Sequence, residues 1–155
     1  RMSGSCVTPC SRSDLPAIIA LLADDILGES RETLSDPTAD EYLTAFREIE
    51  SDPNQILAVM VDGDEVIGTL QLSFIRGLAR RGAKRGLIEA VRIASSRRGE
   101  GLGEQLIEWA IVECRHRGCA LVQLTSDRAR LDAHRFYERL GFEPSHIGFK
   151  LTLGE

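Results

Sequence analysis

Three glycines in five residues, directly after two arginines, are the first candidates for chemistry in the sequence: "RRGEGLGEQL", which runs into a helical pattern. Glycine weakens a helix start by roughly 1 kcal/mol relative to alanine, so Gly99, Gly101 and Gly103 indicate a need for bare backbone. Free N–H groups and the helix dipole favour anions at a helix N-terminus, and glycine lets a phosphate approach. The stretch therefore predicts an anion site, to which Arg97 and Arg98 add positive charge.

The glycine turn, defined here as residues 99–104, matches neither of two common phosphate-binding motifs. The dinucleotide motif G-x-G-x-x-G meets Glu104 at its last position when begun at Gly99, and Leu106 when begun at Gly101. A P-loop requires Gly-Lys followed by Ser or Thr, which does not occur here. The turn therefore predicts a phosphate site of another kind.

A carboxylate lies in the apolar segment before the glycine turn. "GLIEAVRIA" alternates as a strand, and this alternation places Glu89 on the same side as Leu87, Val91 and Ile93. Apolar surroundings raise the pKa of a carboxyl group, which would suit Glu89 to work as a general base. The alternative is a side chain that reaches solvent past a strand edge.

Other residue types that often do chemistry show no functional spacing. The cysteines match neither a zinc ribbon nor a C-x-x-C motif, and the histidines lack H-E-x-x-H spacing. We therefore expect no metal site, and thiols that are buried or incidental. These residues are Cys6, Cys10, Cys114, Cys119, His116, His134 and His146.

The segments before the glycine turn predict the elements that position it. "SRSDLPAIIALL" and "TADEYLTAFREIE" have the apolar spacing of amphipathic helices, the second with Thr38 and Glu41 as a capping box. "QILAVMVDGDEVIGTLQLSFI" predicts a β-hairpin that turns at residues 62–65. "GLIEAVRIA" then predicts the strand that enters the glycine turn.

The segments after the turn predict the other side of the site. "RRGEGLGEQLIEWAIVECRHRG" predicts a turn and a helix that stops at Gly118. "CALVQLTS" is continuously apolar, which indicates a strand covered on both faces and parallel to the strand before the glycine turn. "LDAHRFYERLG" predicts a helix, and "HIGFKLTL" predicts a last strand on which Ile147, Phe149, Leu151 and Leu153 alternate.

The order β-α-α-β-β-β-α-β-α-β predicts an α/β (α+β) fold with a mixed central sheet of about six to seven strands and helices on both faces. The 155 residues, 43% hydrophobic and 28% charged, suit one globular domain over 1–155. A net charge of −5 gives no reason to expect nucleic-acid binding. No apolar run approaches the roughly 18 residues that span a bilayer, so we expect a cytoplasmic protein without a membrane partner.

Two motifs together carry a family resemblance. Arg98-x-x-Gly101-x-Gly103 stands between "AVRIA" and an amphipathic helix, and "AHRFYERLGF" follows about thirty residues later. This pairing resembles the GCN5-related N-acetyltransferase (GNAT) family, specifically over residues 87–149 and in element order over the whole chain. The resemblance implies a single N-acetyltransferase domain that uses acetyl-CoA as acyl donor.

The resemblance also implies how the donor binds. In this family the amides of the turn hold the pyrophosphate of acetyl-CoA, and the backbone of the preceding strand pairs with the pantetheine arm. Arg130 stands where the family commonly has an asparagine that bonds this arm, and an arginine could reach a CoA phosphate instead. The implied cofactor-binding residues are Val91, Arg92, Ile93, Arg98, Gly99, Glu100, Gly101, Leu102, Gly103, Glu104 and Arg130.

Two residues match the catalytic positions of the family. An alkyl amine, with a pKa of roughly 10, must lose a proton before it attacks a thioester. Many family members carry a glutamate nine residues before the first arginine of the motif, which makes Glu89 the candidate base, acting through water. Tyr137 of "FYERLGF" matches the family tyrosine that gives a proton to the leaving sulfur; the alternative is a core tyrosine.

The implied activity is direct transfer of an acetyl group to the primary amine of a small molecule. The run "LTSDRARLDAHRFYERLGFEPSHIGFKLTL" resembles the small-molecule branch of the family, which includes aminoalkylphosphonate acetyltransferases. A protein lysine or N-terminal acetyltransferase and a non-catalytic acetyl-CoA-binding module are the alternatives. A homodimer is left open.

Two charged segments predict opposite acceptors. The cationic loop, residues 76–85, would suit an acceptor that bears a phosphonate or carboxylate. The acidic segment, residues 24–36, would suit a polyamine or an aminoglycoside. In the GNAT family both regions shape the acceptor pocket, so charge alone does not choose between them.

Overall fold

A computed structural model describes residues 4–24 and 39–154 of the chain. The described strands are β1 (Ser5–Pro9), β2 (Gln55–Asp62), β3 (Glu65–Arg76), β4 (Lys84–Ile93) and β5 (Leu121–Leu124). The described helices are α1 (Leu15–Ala23), α2 (Asp40–Ser51), the single turn α3 (Ala79–Gly82), α4 (Leu102–His116) and α5 (Leu131–Arg139). None of these helices is long and apolar enough to cross a membrane.

The strands form one mixed sheet in the order β1-β2-β3-β4-β5. The first four pair antiparallel and β5 pairs parallel to β4, which confirms the predicted parallel connection through α4. The described residues give five strands, so the prediction of about six to seven is not confirmed. The predicted last strand, residues 146–153, pairs with no described strand, because alternation alone does not supply the backbone hydrogen-bond partners that a strand needs.

Helices cover both faces of the sheet, as predicted. Helix α4 packs against β3, β4 and β5, whereas α1 packs against β3 and β4, and α2 against β2. The predicted helix is confirmed as α4, and the residues that recur on one face of it at helical spacing are at most 5% exposed. They are Leu102, Leu106, Ala110 and Cys114.

The helix on Asp40–Ser51 is also confirmed, although its capping box is not described in full. Thr38 lies outside the described residues, and the helix begins after Ala39, with Phe46 buried. Ala45, which the pattern places inward, is exposed. Phe46 is thus the one fully buried residue of this helix, with Leu43 and Ile49 half-buried beside it.

The two hairpins lie at opposite ends of β4. The β2–β3 hairpin turns at Gly63 and Asp64, with φ +63° at Gly63, and its end lies beside the glycine turn. The β3–β4 connection carries the cationic loop, in which Arg80 and Arg81 have left-handed φ angles of 56° and 61°. This loop therefore lies at the end of β4 far from the glycine turn.

The sheet is incompletely buried at β5. This strand is one of the two edges of the described sheet, and all four of its residues are half-buried. The prediction of a strand covered on both faces is therefore wrong here. Helix α5, beside it, also has no fully buried residue.

Candidate active site

Strands β4 and β5 part next to the glycine turn. Their parallel pairing runs from Arg85 with Leu121 to Ile88 with Leu124, where β5 ends while β4 continues to Ile93. Residues 89–93 consequently have no described strand partner on the β5 side. An extended ligand could pair with this free edge as an added strand.

A β-bulge lies within this free edge. Gln71 pairs with Glu89 and Thr69 pairs with Arg92, so β4 has one more residue than β3 between the two pairs. The extra residue coincides with Ala90, which has a φ of 54°, a conformation that non-glycine residues rarely adopt. The bulge redirects the side chains that follow it.

The bulge makes the predicted apolar row around Glu89 wrong. Glu89 pairs with Gln71 and Ile93 pairs with Gly68, and partners three residues apart on β3 face opposite sides of the sheet. Val91 and Ile93 pack against the core that includes α4, whereas Glu89 is exposed. The alternative in which this carboxylate reaches solvent is therefore the one observed.

Backbone conformation requires glycine at two positions of the glycine turn. Gly99 and Gly101 have φ angles of 86° and 78°, and a Cβ added to either would meet no described atom within 4 Å. Their backbone therefore faces open space at the start of α4, where the first N–H groups lack partners within the helix. This exposed backbone fits the phosphates of a nucleotide-like ligand.

Gly103 differs from these two glycines because neither its φ angle nor its surroundings demand glycine. A Cβ placed on it would lie 3.4 Å from Cζ of Phe136 and 3.9 Å from Cγ1 of Ile93, which are ordinary van der Waals distances. It lies where α4, β4 and α5 meet. The motif thus combines two conformational glycines with one at a packing contact.

Arg97 does not add free positive charge to the turn, contrary to the prediction. Its guanidinium donates to Asp62 at 3.0 Å and to both oxygens of Glu100 at 3.1 Å, and Glu65 lies 4.0 Å away. The hydrogen bonds to Glu100 and then to Asp62 raise the pKa of Arg97. This arginine therefore fastens the turn to the β2–β3 hairpin.

Arg98 is the exposed cation of the turn. Its Nη2 donates to the carbonyl of Asp24 at 3.5 Å, at the limit of a hydrogen bond. The carboxylate of Asp24 also accepts from the backbone N–H of Ser95 at 3.4 Å. The end of α1 thus lies against the turn and leaves the Arg98 guanidinium exposed.

Tyr137 lies half-buried on α5, among aromatic rings and near two arginines. Its ring centroid is 5.1 Å from that of Phe136 and 5.9 Å from that of Phe142. Burial raises the pKa of Tyr137, and the positive charges of Arg92 and Arg130 partly oppose this rise. The phenol therefore carries its proton at neutral pH.

The side chain of Arg92 contributes its charge to the surroundings of Tyr137, and the sequence did not reveal this role. The resemblance implied only a donor-binding residue on β4, whereas the structure brings its charge to Tyr137, together with Arg130. That relation depends on how α5 packs beside β4, for which the local sequence has no signal. Arg130 directly precedes α5, and its N–H donates to the carbonyl of Asp127 at 3.0 Å.

The structure describes only part of the two charged segments that were predicted to select an acceptor. Apart from Asp24, the acidic segment lies outside the described residues. In the cationic loop, three side chains bond within the fold: Arg76 donates to Gly82 at 2.7 Å, Lys84 to Arg117 at 2.8 Å and Arg85 to Gln123 at 2.5 Å.

The cationic loop is also distant from the candidate base. Lys84 and Glu89 are five residues apart on β4, which corresponds to roughly 17 Å of extended chain. The exposed Arg80 and Arg81 lie beyond Lys84. A small acceptor whose amine lies near Glu89 would not reach this loop.

The sheet is mixed, its parallel strands part beside a glycine-rich helix N-terminus, and a protonated tyrosine lies near the opening. These features together define an acyltransferase domain. The chain belongs to the GNAT acetyltransferase family: the sequence model described as "Acetyltransferase (GNAT) family" matches residues 22–142. This confirms both the resemblance and the prediction of an acyltransferase enzyme. Members of the family use acetyl-CoA.

Three known proteins are similar to this chain over two thirds or nearly all of its length. The aminoalkylphosphonate N-acetyltransferase of Salmonella typhimurium (strain LT2) is 34% identical over 102 residues, which span 66% of this chain and 66% of that protein. A crystal structure described as a transcriptional regulator from Bacillus halodurans C-125 has a TM-score of 0.93 and 44% identity, covering 96% of this chain and 99% of its own. A putative acetyltransferase from Agrobacterium tumefaciens str. C58 has a TM-score of 0.84 and 26% identity, with the same coverage.

Proposed function

We propose that this protein transfers the acetyl group of acetyl-CoA directly to the primary amine of a small molecule. The observation that carries the proposal is the free edge of β4 at residues 89–93, which ends in the glycine turn and lies near Tyr137. An extended arm with a phosphate at one end and a thioester at the other has the shape and charge that this surface complements. The family and the Salmonella relative support the same reaction.

The donor is held mainly by backbone. Residues 91–93 supply the edge for the pantetheine arm, and residues 99–104 supply N–H groups for the pyrophosphate. The side chain of Leu102 is buried, and Glu100 is bound by Arg97, so both contribute through their backbone. Arg98 adds the cationic side chain, and Arg130 a second cation near Tyr137.

Glu89 acts as the general base through a water molecule. Its exposed carboxylate stands directly before the bulge, on the free edge along which the thioester would lie. A carboxylate in solvent can take the proton of an alkylammonium ion through water, which leaves the amine lone pair free to attack the thioester carbon. The new C–N bond then forms as the C–S bond breaks.

Tyr137 gives its proton to the leaving sulfur. Burial keeps the phenol protonated at neutral pH, and the charges of Arg92 and Arg130 stabilise the phenolate that results. After attack the nitrogen loses its second proton, which restores the proton that Tyr137 gave to the sulfur, so the products are the neutral amide and the CoA thiol and one proton leaves to solvent by way of Glu89. No metal has a role in these steps.

A panel of amines tests the proposal. Purified protein with acetyl-CoA is offered aminoalkylphosphonates, amino sugars, aminoglycosides and polyamines, and free CoA thiol is measured with product mass. We expect one class to be acetylated. Because Cys6 is exposed, a reaction without acceptor corrects for protein thiols.

Peptide substrates in the same assay, and calorimetry with acetyl-CoA, separate the alternatives. Acetylation of a peptide lysine or N-terminus without any small amine would identify a protein acetyltransferase. Binding of acetyl-CoA in calorimetry without turnover on either class would identify a non-catalytic module. Either result would contradict the proposed function.

A further inference from the structure

The β-bulge at Ala90 places a cation beside the candidate base. On β3, Thr69 pairs with Arg92 and Gln71 pairs with Glu89. Because Thr69 and Gln71 are two residues apart, they share one face of the sheet, and the residues paired with them share it too. In a regular strand, Glu89 and Arg92 would face opposite sides. The bulge therefore brings one carboxylate and one guanidinium to the same face.

This face of β4 is the one turned away from α4. Val91 and Ile93, on either side of Arg92 in the sequence, pack against the core that includes α4. The Nη1 of Arg92 donates to the carbonyl of Val91 at 2.9 Å, which keeps the guanidinium close to the strand. Glu89 is exposed and Arg92 is half-buried. Both side chains thus stand on the free edge of β4 along which the thioester would lie.

A second cation lies on the α5 side of the opening. Arg130 directly precedes α5, and Tyr137 lies about two helical turns further along. Side chains of a helix tilt towards its N-terminus, so the ring of Tyr137 leans towards Arg130. The charges of Arg92 and Arg130 both act on the phenol of Tyr137. The opening beside the free edge therefore holds two positive charges and the carboxylate of Glu89.

These charges suit an acceptor that carries both signs. An alkyl amine arrives as an ammonium ion, which Glu89 attracts and Arg92 repels. An anionic group in the same molecule removes this repulsion when it accepts charge-assisted hydrogen bonds from the guanidinium. The β3 partners of the two side chains are roughly 7 Å apart, so both can contact one small molecule. A second amine in the acceptor would add repulsion instead.

We propose that the acceptor is a small zwitterion, a primary amine whose phosphonate or carboxylate group binds Arg92 while its amine lies at Glu89. The inference rests on the acetyl transfer proposed above and names its substrate class. It places the anion beside the reacting amine, not at the cationic loop, which lies at the far end of β4. Polyamines and aminoglycosides are excluded as acceptors because they would place further positive charge beside Arg92.

Four amines in the acetyl-CoA assay test the proposal. 3-Aminopropanoate and 3-aminopropanamide have nearly the same size and differ by one negative charge, 2-aminoethylphosphonate supplies the other anion, and 1,3-diaminopropane supplies a second cation. Hydrogen bonds to charged groups should make kcat/KM roughly 10- to 100-fold higher for an anionic amine than for the neutral amide. We expect the diamine to be the poorest substrate. The two anionic compounds distinguish a carboxylate site from a phosphonate site.

Variants of Arg92 assign the preference to this residue. In Arg92→Gln, the ratio of kcat/KM for the anionic amine to that for the neutral amide should fall close to one. Arg92→Lys should keep part of the preference, because it keeps the charge without the planar fork. Weaker stabilisation of the Tyr137 phenolate would lower both substrates equally and leave the ratio unchanged. The control Arg80→Gln/Arg81→Gln, in the cationic loop, should keep the wild-type ratio.

The possible failures can be told apart. Equal kcat/KM for anionic and neutral amines, or acetylation only of a polyamine or an aminoglycoside, would overturn the zwitterion and leave the proposed acetyl transfer intact. An unchanged ratio in Arg92→Gln, or a ratio lost in Arg80→Gln/Arg81→Gln, would place the anion elsewhere and overturn the inference equally. If no small amine is acetylated, the proposed function fails and this inference fails with it.

Discussion

Gly103 on α4 and Phe136 on α5 are in contact: a Cβ on Gly103 would lie 3.4 Å from Cζ of Phe136, whose ring lies 5.1 Å from that of Tyr137. The helix that offers its N–H groups to a phosphate and the helix that carries the candidate acid therefore share one packing contact. Gly103 has an ordinary helical φ, whereas Gly101, two residues before it, has a φ of 78°. The two glycines should respond to substitution in opposite ways.

Gly101→Ala should lower Tm, and Gly103→Ala should not. A left-handed alanine costs about 1–2 kcal/mol, which corresponds to a fall of roughly 2–8 °C for a chain of this size. At Gly103 the methyl group would make an ordinary contact with Phe136 and gain up to about 1 kcal/mol of helix propensity, so Tm should rise by up to about 4 °C. Thermal unfolding followed by circular dichroism measures both, and a larger fall for Gly103→Ala would reverse the assignment of the two glycines.

Acetyl-CoA should raise Tm of the wild type, and Gly101→Val should remove most of that rise. A ligand bound only by the native state stabilises it by RT ln(1 + [L]/Kd), and a valine side chain would occupy the space above the turn. Gly118→Val is the matched control, since Gly118 has a φ of 74° and open space around it at the far end of α4. If both variants keep the full shift, the turn does not hold the phosphates.

Of the two adjacent arginines, Arg97 should stabilise the fold and Arg98 should bind the ligand. Arg97→Ala breaks contacts with Asp62 and Glu100, so it should lower Tm of the unliganded protein. Arg98→Ala should leave that Tm unchanged but weaken acetyl-CoA binding about tenfold at low salt, and less at high salt, because an exposed charge is screened. Calorimetry at two salt concentrations distinguishes them; equal losses of affinity would show that the ion pairs of Arg97 open to admit the donor.

Features set by local periodicity could be predicted from the sequence. The buried face of α4 follows from 3.6-residue spacing, and the hairpin at Gly63 follows from a turn-forming pair between two apolar runs. The glycine turn was located because its residue types are unsuited to a helix start. None of these depends on distant parts of the chain.

Features set by distant contacts could not be predicted. The bulge at Ala90 inserts one residue without a local mark, and it moves Ile93 to the face opposite Glu89. Arg97 is neutralised in part by Asp62, which is 35 residues away in the sequence. The sequence alternates from Ile147 to Leu153, but this pattern does not show which backbone groups the segment will pair with, and no described strand pairs with it.

Glu89→Gln should lower kcat/KM at neutral pH by about 10²-fold, the lower end of the usual range for a general base. The loss should shrink as pH rises towards the roughly 10 at which alkyl amines lose their proton, because more acceptor is then already deprotonated. The control Glu48→Gln removes an exposed carboxylate on α2 and should behave as wild type. A parallel offset of the two pH profiles at every pH would assign Glu89 to binding instead of proton transfer.

Tyr137→Phe should lower kcat by roughly 10²- to 10⁴-fold while acetyl-CoA affinity stays within about threefold of wild type. The phenyl ring keeps the contacts with Phe136 and Phe142, so only the proton is lost. Because burial raises the pKa of this phenol above its ordinary value, the wild type should lose no activity through its ionisation until the pH exceeds about 10. Tyr42→Phe, on the half-buried side of α2, is the matched control and should retain full turnover. Full activity in Tyr137→Phe would make this tyrosine a packing residue, whereas loss of acetyl-CoA binding would make it a residue that positions the donor.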